Sequence, residues 1–276
     1  FASKNVAIFS ENRIEWFICD MALLSLGSVD VPRGDDSTSE ELNYIIEHSE
    51  SKAVLVENKY VFDKIKKHHN DLSLIVFLDN SMHNPDKNIY SFDKFLELGK
   101  EGLNGKEDFA INKAKKLNND NIATIIYTSG TTGFSKGVML NHNALAANIK
   151  FAIANMPIKP NDHILSFLPL AHVFGCLFDF LFPFSKGACI YMLNAIPSPN
   201  ILLKAFDEIK PDLILMVPLI IEKIYLKKLL PVISKPLIKN LLKLPLISSI
   251  LKKSIKEKLT KSFGGKFHEL IIGGSA

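Results

Sequence analysis

Short apolar runs recur through the first eighty residues, and their length constrains the fold more than any other feature of the chain. Residues 5–9 (NVAIF), 53–56 (AVLV) and 74–78 (LIVFL) are four or five residues long, and 29–31 begins a similar run that Pro32 should end. Runs this short and this continuous suit buried strands. Stretches with helical spacing lie between them. Residues 13–26 place Ile14, Phe17, Ile18, Met21 and Leu24 at the intervals of an amphipathic helix, and Thr38-Ser39-Glu40-Glu41 has the composition of a helix start ahead of Leu42, Ile45 and Ile46. A polar helix is expected around Phe62 to His69. This β-α-β-α-β alternation argues for an α/β fold in which a mostly parallel sheet is covered by helices.

The pattern continues less regularly. Residues 79–121 are polar, rich in Asn, Asp and Lys, and read as a surface excursion with one helix from Ser91 to Leu98. Strands are expected at 122–126, 162–167, 188–192, 213–217 and 268–272, and helices at 143–153 and 200–209. The run from Ile164 to Leu193 is apolar enough to raise a membrane span. Pro169, His172, Asp179, Pro183 and Lys186 interrupt it before about twenty apolar residues accumulate, so a buried helix fits better.

With 276 residues, 47% hydrophobic and 22% charged, the chain has ordinary globular composition and can bury a sizeable core. Cys19, Cys176 and Cys189 are far apart and form no C-x-x-C or Cys/His cluster, so they read as buried free thiols rather than a disulfide or metal site. The pair His68-His69 sits among lysines and reads as surface. No metal-ligating set is expected in this stretch of chain. The net charge of +4 is unevenly spread: residues 227–266 hold eleven lysines against one acid, Glu257.

Residues 127–137, YTSGTTGFSKG, follow the apolar run IATII and carry three glycines, five serine and threonine hydroxyls and a lysine. Glycines let successive N–H groups turn the same way, and Thr128, Ser129, Thr131 and Thr132 add hydroxyl donors. Lys136 adds a mobile positive charge suited to the outer phosphates of a nucleotide. The pattern G-x-x-x-x-G-K-S/T of P-loop NTPases does not fit. Counted from Gly130, Ser135 stands before the lysine and Gly137 after it, so the second glycine and the magnesium-binding hydroxyl are both missing. The loop is expected to join the buried strand to a helix.

The string resembles the signature loop of the adenylate-forming superfamily, which contains acyl-CoA synthetases, luciferases and peptide-synthetase adenylation domains. That loop usually reads Tyr or Phe, T-S-G, Thr or Ser, then T-G-x-P-K-G, and this chain departs from it at Ser135, where proline is usual. Further resemblances, most like long-chain fatty acid to CoA ligases, lie in VPRGDDSTSEELNYIIEHSESKAVLV from Val31, in LPLAHVFG at 168–175, in VPLIIEKIY at 217–225 and in the closing Gly273-Gly274-Ser275-Ala276. Leu219 stands where arginine is usual. Arg33, Asp35 and Asp36 read as turn and cap residues and are left without a role.

The resemblance implies the helix-covered, mostly parallel sheets of the large N-terminal domain of such an enzyme, with residues 1–276 a part of that AMP-binding domain, incomplete at both ends, and the small C-terminal domain absent. It implies a fatty acid and ATP as substrates, Mg2+ and coenzyme A as co-reactants, and acyl-AMP as the intermediate; no nucleic acid partner is implied. It places Thr128, Ser129, Gly130, Thr131, Thr132, Gly133, Lys136 and Gly137 on the phosphates, His172 beside the acyl carboxylate, and Gly273, Gly274, Ser275 and Ala276 at the adenine, with Lys136 and His172 as the catalytic residues. The magnesium-holding acid, the ribose aspartate and the C-terminal lysine would lie past Ala276, so these residues by themselves are expected to be inactive. Two alternatives stand beside this reading: transfer of the acyl group to a carrier protein, and a non-catalytic lipid-surface module using the basic 227–266 segment. A cytoplasmic location, with peripheral membrane contact through that segment, is the corresponding expectation.

Overall fold

Seven strands order the first part of the chain in a computed structural model that describes residues 4–106, 108–128, 135–193, 195–236, 238 and 245–273. They are β1 (Asn5–Phe9), β2 (Val29–Arg33), β3 (Ala53–Val56), β4 (Leu74–Phe77), β5 (Ile89–Ser91), β6 (Ile122–Thr128) and β7 (Lys136–Asn141). Four more, β8 (His163–Ser166), β9 (Cys189–Met192), β10 (Leu213–Met216) and β11 (Glu269–Ile272), form a second sheet. The chain divides into two units, residues 1–148 with 169–173, and residues 149–168 with 174–276.

In the first unit the order is β5-β4-β3-β1-β2-β6-β7, and every neighbouring pair is parallel except β6 with β7. The connection from β1 runs to β2 on one side and that from β3 runs to β4 on the other, so a switch point lies at the carboxyl ends of β1 and β3. Arg13 ties those ends together, its guanidinium donating to Glu57 at 2.9 Å and to the Leu78 carbonyl at 2.9 Å. The Ser39–His48 helix starts where its composition implied, with Thr38 Oγ1 accepting from the Glu41 N–H at 3.2 Å. Phe9, Val31, Leu42, Ile45, Val54, Phe77 and Tyr127 belong to one core between this helix layer and the sheet.

Several expectations need correction. Pro32 does not end β2 but sits inside it opposite Ile8, because its fixed φ is compatible with extended backbone and only one donor is lost. The polar excursion 79–121 contributes a strand: β5 pairs with β4 at Ile75↔Ile89, and Phe92–Gly102 follows as a helix. The Ile14–Leu26 helix buries Trp16, Cys19, Asp20 and Leu23, whereas Ile14 and Ile18 are 63% and 44% exposed. The helix is apolar almost all round, so spacing alone picked the wrong stripe. His68 is buried, not on the surface, and His69 stacks on Phe62 with ring centroids 3.7 Å apart. Cys19 and Cys176 are buried as expected, but Cys189 is exposed.

In the second unit the order is β11-β10-β8-β9, all parallel. Its core contains Leu165, Phe167, Leu202, Phe206, Met216 and Phe263, with Ser198 capping the Pro199–Ile209 helix. Helical turns run over Val173–Gly175, Cys176–Leu181 and Phe182–Ser185, the middle one with π spacing. Among the described residues no helix is long and apolar enough to cross a membrane.

The buried stripe of the Ile14–Leu26 helix carries Asp20 against Asp30 of β2, both under 3% exposed. Burial and then the charge of Asp30 hold the Asp20 carboxyl well above the usual range, and burial lifts Asp30 to about 7 against the pull of hydrogen bonds from Thr124 and Asp20. Asp20 therefore keeps a proton and donates it to Asp30. Both acids have raised pKa values, so the folded state binds more protons than the unfolded one, whose carboxyls titrate near about 4, and stability falls as pH rises from there through about 7. Asp20→Asn supplies the donor without the proton. It should raise stability at pH 8 and leave it almost unchanged near pH 4, measured as thermal unfolding across that range.

Candidate functional site

The site grows from the carboxyl ends of β1, β2 and β6. Asn12, just past β1, accepts the Leu170 N–H at 3.0 Å and so anchors the segment 169–173 in the first unit. Within that segment the His172 N–H returns to the Pro169 carbonyl at 3.1 Å, a tight turn that presents the imidazole at the surface. Loss of water around the ring, then the nearby Arg33 charge, lowers the His172 pKa below the ordinary value, with Asp36 opposing them. The ring is neutral at pH 7.

Arg33, the last residue of β2, is the group the sequence reading missed. Its Nη1 donates to the Tyr127 carbonyl at 3.0 Å, its Nη2 to Glu41 at 2.6 Å and its Nε to Ser37 Oγ at 3.0 Å. The same Glu41 oxygen accepts from Ser135 Oγ at 3.0 Å. One signal was available: Arg33 and Glu41 flank a helix start in a stretch already recognised as family-like. Nothing in sequence spacing, however, says that the pair reaches residues about ninety positions further on.

Tyr127 is nearly fully buried, and its hydroxyl and His48 Nδ1 share a hydrogen bond of 2.8 Å. Tyr44 lies over the His48 ring at 5.1 Å. Burial, then Tyr44, pushes the Tyr127 phenol up to about 12, so it stays neutral. Gly137 faces this ring across the β6–β7 ladder: a Cβ there would sit 3.2 Å from Tyr127 Cζ and 3.0 Å from Ile125 Cγ2.

Thr128 ends β6 and Lys136 begins β7, and the two are direct partners in the antiparallel register. Both are exposed, and among the described residues Lys136 has no ion-pair partner. A free ammonium beside a hydroxyl fits an anionic ligand. The connection after Thr128 leads into a strand and not into a helix, which corrects the expectation; the helix His142–Asn155 starts only after β7. Ser129, Gly130, Thr131, Thr132 and Gly133 lie outside the described residues, as do Gly274, Ser275 and Ala276. In the second unit, Gly273 follows β11, and a Cβ there would come 2.9 Å from the Phe174 ring. Close approach is needed at Gly273, and an aromatic side chain already takes part in it.

Two acidic features complete the picture. Glu11, Asp35 and Asp36 bring carboxylate oxygens within 4.8 Å of one another. Glu11 rises to about 7 through loss of water, a hydrogen bond with Asp35 and the charges of Asp35, Asp36 and Glu57, so a proton relieves the crowding. Oxygen donors of this kind suit Mg2+, but no other observation points to an ion there and none is assigned. In the second unit Asp179 is fully buried, and its Oδ2 accepts from the Phe167 and Leu168 N–H groups at 3.0 and 2.9 Å, fixing the exit of β8; burial lifts it to about 7 against those bonds.

Residues 2–274 match the family model described as AMP-binding enzyme. The chain therefore belongs to the AMP-binding, adenylate-forming enzyme family, whose members here include ligases of long-chain fatty acids. It is 31% identical over 238 residues to a chloroplastic long-chain-fatty-acid–acyl-carrier-protein ligase of Arabidopsis thaliana, covering 81% of this chain and 32% of that protein. It is 31% identical over 229 residues to a long-chain-fatty-acid–CoA ligase of Homo sapiens, covering 80% of this chain and 33% of that one. The chain spans about a third of the length of these curated relatives. In fold it resembles a red-emitting luciferase from Phrixothrix hirtus, with a TM-score of 0.70 at 24% identity over 100% of this chain and 47% of that one. The ATP-bound MatB of Rhodopseudomonas palustris gives 0.63 at 21% identity over 100% of this chain and 45% of that one.

The Gly137 contact makes a direct prediction. Because Tyr127 is held by His48 and cannot retreat, Gly137→Ala should lower stability by about 1–3 kcal/mol. Gly99→Ala, inside the Phe92–Gly102 helix with open space around it, should leave stability unchanged or raise it by about 0.5–1 kcal/mol. Thermal unfolding of the two variants side by side checks the contrast.

Proposed function

We propose that the protein activates the carboxylate of a long- or medium-chain fatty acid with ATP and passes the acyl group to coenzyme A. The single observation that carries this reading is the pairing of Thr128 with an exposed Lys136, which has no ion-pair partner among the described residues, inside a chain that matches the AMP-binding family over residues 2–274. The names of the relatives supply the substrate class, a long-chain fatty acid. On this reading residues 1–276 are part of a large AMP-binding domain.

In the first half-reaction a carboxylate oxygen attacks the α-phosphorus, the bond to the β-phosphate oxygen breaks, and pyrophosphate leaves. The thiolate of coenzyme A then attacks the acyl carbonyl and AMP departs. No protein nucleophile is needed, so rate comes from alignment and from positive groups that absorb charge on the leaving pyrophosphate. Lys136 supplies such a charge, and Thr128 with the hydroxyls and amides of 129–133 supplies hydrogen bonds. His172, neutral and on a segment anchored by Asn12, is suited to hydrogen-bond an incoming carboxylate without trapping it as an ion pair. Mg2+, when bound to the phosphates, adds Lewis-acid stabilisation to the same leaving group. Gly273 to Ala276 take the adenine side in this reading.

A carrier-protein thiol is the competing acceptor, since one relative is named for that reaction. The discriminating experiment uses the natural full-length protein. Hexadecanoate-dependent exchange between ATP and pyrophosphate should be present, and coenzyme A should discharge the acyl-AMP faster than a phosphopantetheinylated carrier protein. Lys136→Ala should reduce the exchange by about a hundredfold. Exchange that survives this substitution undiminished would remove Lys136 from the phosphate site.

A second reading rests on a cavity of about 500 Å3 in the second unit, lined by Ile221, Leu259, Phe263 and Phe267 together with Lys252 and Lys256 of the Pro245–Ser262 helix. Apolar walls beside lysines of the basic segment favour contact with an anionic lipid surface. Sedimentation with phosphatidylserine vesicles should carry the protein down at low salt and release it at about 0.5 M salt. Full recovery in the supernatant at low salt would eliminate lipid contact, and Lys136→Ala should leave the binding as it is.

A further inference from the structure

We infer that Arg33, Glu41 and Ser135 form a clasp that fixes Thr128 and Lys136 at the spacing the phosphates of a nucleotide require. Arg33 grips the Tyr127 carbonyl, one residue before Thr128, and Ser135, one residue before Lys136, is gripped by Glu41. Arg33 and Glu41 are themselves joined at 2.6 Å, so the two ends of one connection are tied through a single ion pair. The ligand in this inference rests on the proposed function; the clasp itself rests on these distances.

Three features argue that the ties hold position and are not incidental surface contacts. The Arg33 and Glu41 side chains are only 18% and 22% exposed, so solvent and salt screen them less than an open pair. The guanidinium has a planar fork, and its three donors reach three separate acceptors, an arrangement that a single rotamer must satisfy. Glu41 sits in the first turn of the Ser39–His48 helix, its own N–H capped by Thr38, so its carboxylate projects from a fixed base at the positive end of the helix.

Ser135 gains its meaning from this geometry. A proline at that position would restrict the backbone at the loop's exit through its ring but could not donate to Glu41. The serine restricts the same point by a hydrogen bond of 3.0 Å to a carboxylate that is already held. The two side chains are alternative solutions to one constraint, and only the serine version couples the exit of the connection to Arg33 and through it to the entry.

The test uses the natural full-length protein and its hexadecanoate-dependent exchange of ATP with pyrophosphate. Ser135→Ala should raise the KM for ATP about three- to tenfold, the net value of one ordinary hydrogen bond, with the KM for hexadecanoate and the unfolding temperature unchanged. Ser135→Thr keeps the hydroxyl and should restore the ATP value. Glu41→Ala should do at least as much damage as Ser135→Ala, and the double variant should be no worse than Glu41→Ala alone. An ATP KM that Ser135→Ala leaves untouched, or two effects that simply multiply, overturns the clasp. If the unsubstituted protein shows no exchange, the functional reading fails first. The clasp is then read by amide hydrogen exchange at Thr128 and Lys136, which should be about tenfold faster in Ser135→Ala than in Ser135→Thr; equal rates overturn it.

Discussion

One guanidinium holds the first unit's working edge together. Arg33 ends β2, a central strand, and spends its donors on Ser37, Glu41 and the Tyr127 carbonyl, groups from a turn, a helix and a neighbouring strand. A lysine at the same place would offer a point charge and could not meet three acceptors in fixed directions. The edge also feels the charge of Arg33 at longer range, since the guanidinium is one cause of the lowered pKa of His172. Position and field at this edge therefore come from the same side chain.

The strands were legible because buried parallel strands have to be short and apolar, and NVAIF, AVLV and LIVF have no other economical use. The helix caps were legible for a similar reason, because Thr38 satisfies a local need that its neighbours reveal. Failures occurred wherever the deciding contact is remote in sequence. Ile14 and Ile18 carry helical spacing but are exposed, because the helix buries the stripe of Trp16, Cys19 and Leu23 instead. Pro32 reads as a stop until β1 is seen beside it. Arg33 and Asp179 read as a turn residue and an interruption, yet each satisfies backbone groups that only the fold brings near: the Tyr127 carbonyl for one, the Phe167 and Leu168 amides for the other. The family-like motifs located Lys136 and His172 in the chain; which groups hold their elements in place emerged from the coordinates alone.

Three fully buried acids, Asp20, Asp30 and Asp179, share a logic. Each has a pKa lifted by loss of water; at Asp30 and Asp179 hydrogen bonds that favour the charged form oppose the lift, whereas at Asp20 the neighbouring Asp30 adds to it. A hydrophobic replacement would remove the desolvation penalty, but at Asp179 it would also orphan two amides at the exit of β8. The acid is retained because backbone donors at a strand end have no regular partner and an acceptor must be brought to them. The π spacing over Cys176–Leu181 belongs to the same solution, since one extra residue per turn changes the direction in which Asp179 projects.

The antiparallel β6–β7 pair sets the chemistry of the proposed phosphate site apart from that of P-loop NTPases. There a strand enters a loop that opens a helix, and the helix dipole adds to the field on the phosphates. Here the chain re-enters a strand at Lys136, and strand dipoles largely cancel, so among the described residues beside Thr128 the positive field comes from the lysine itself. A field built on one exposed ammonium is screened by salt far more than one built on a buried helix end. Holding that ammonium at a fixed distance from Thr128 then matters more than it would beside a helix, because the charge acts from a single flexible side chain. The same reasoning explains why a network as extensive as Ser37, Arg33, Glu41, Ser135 and the Tyr127 carbonyl surrounds a connection of so few residues.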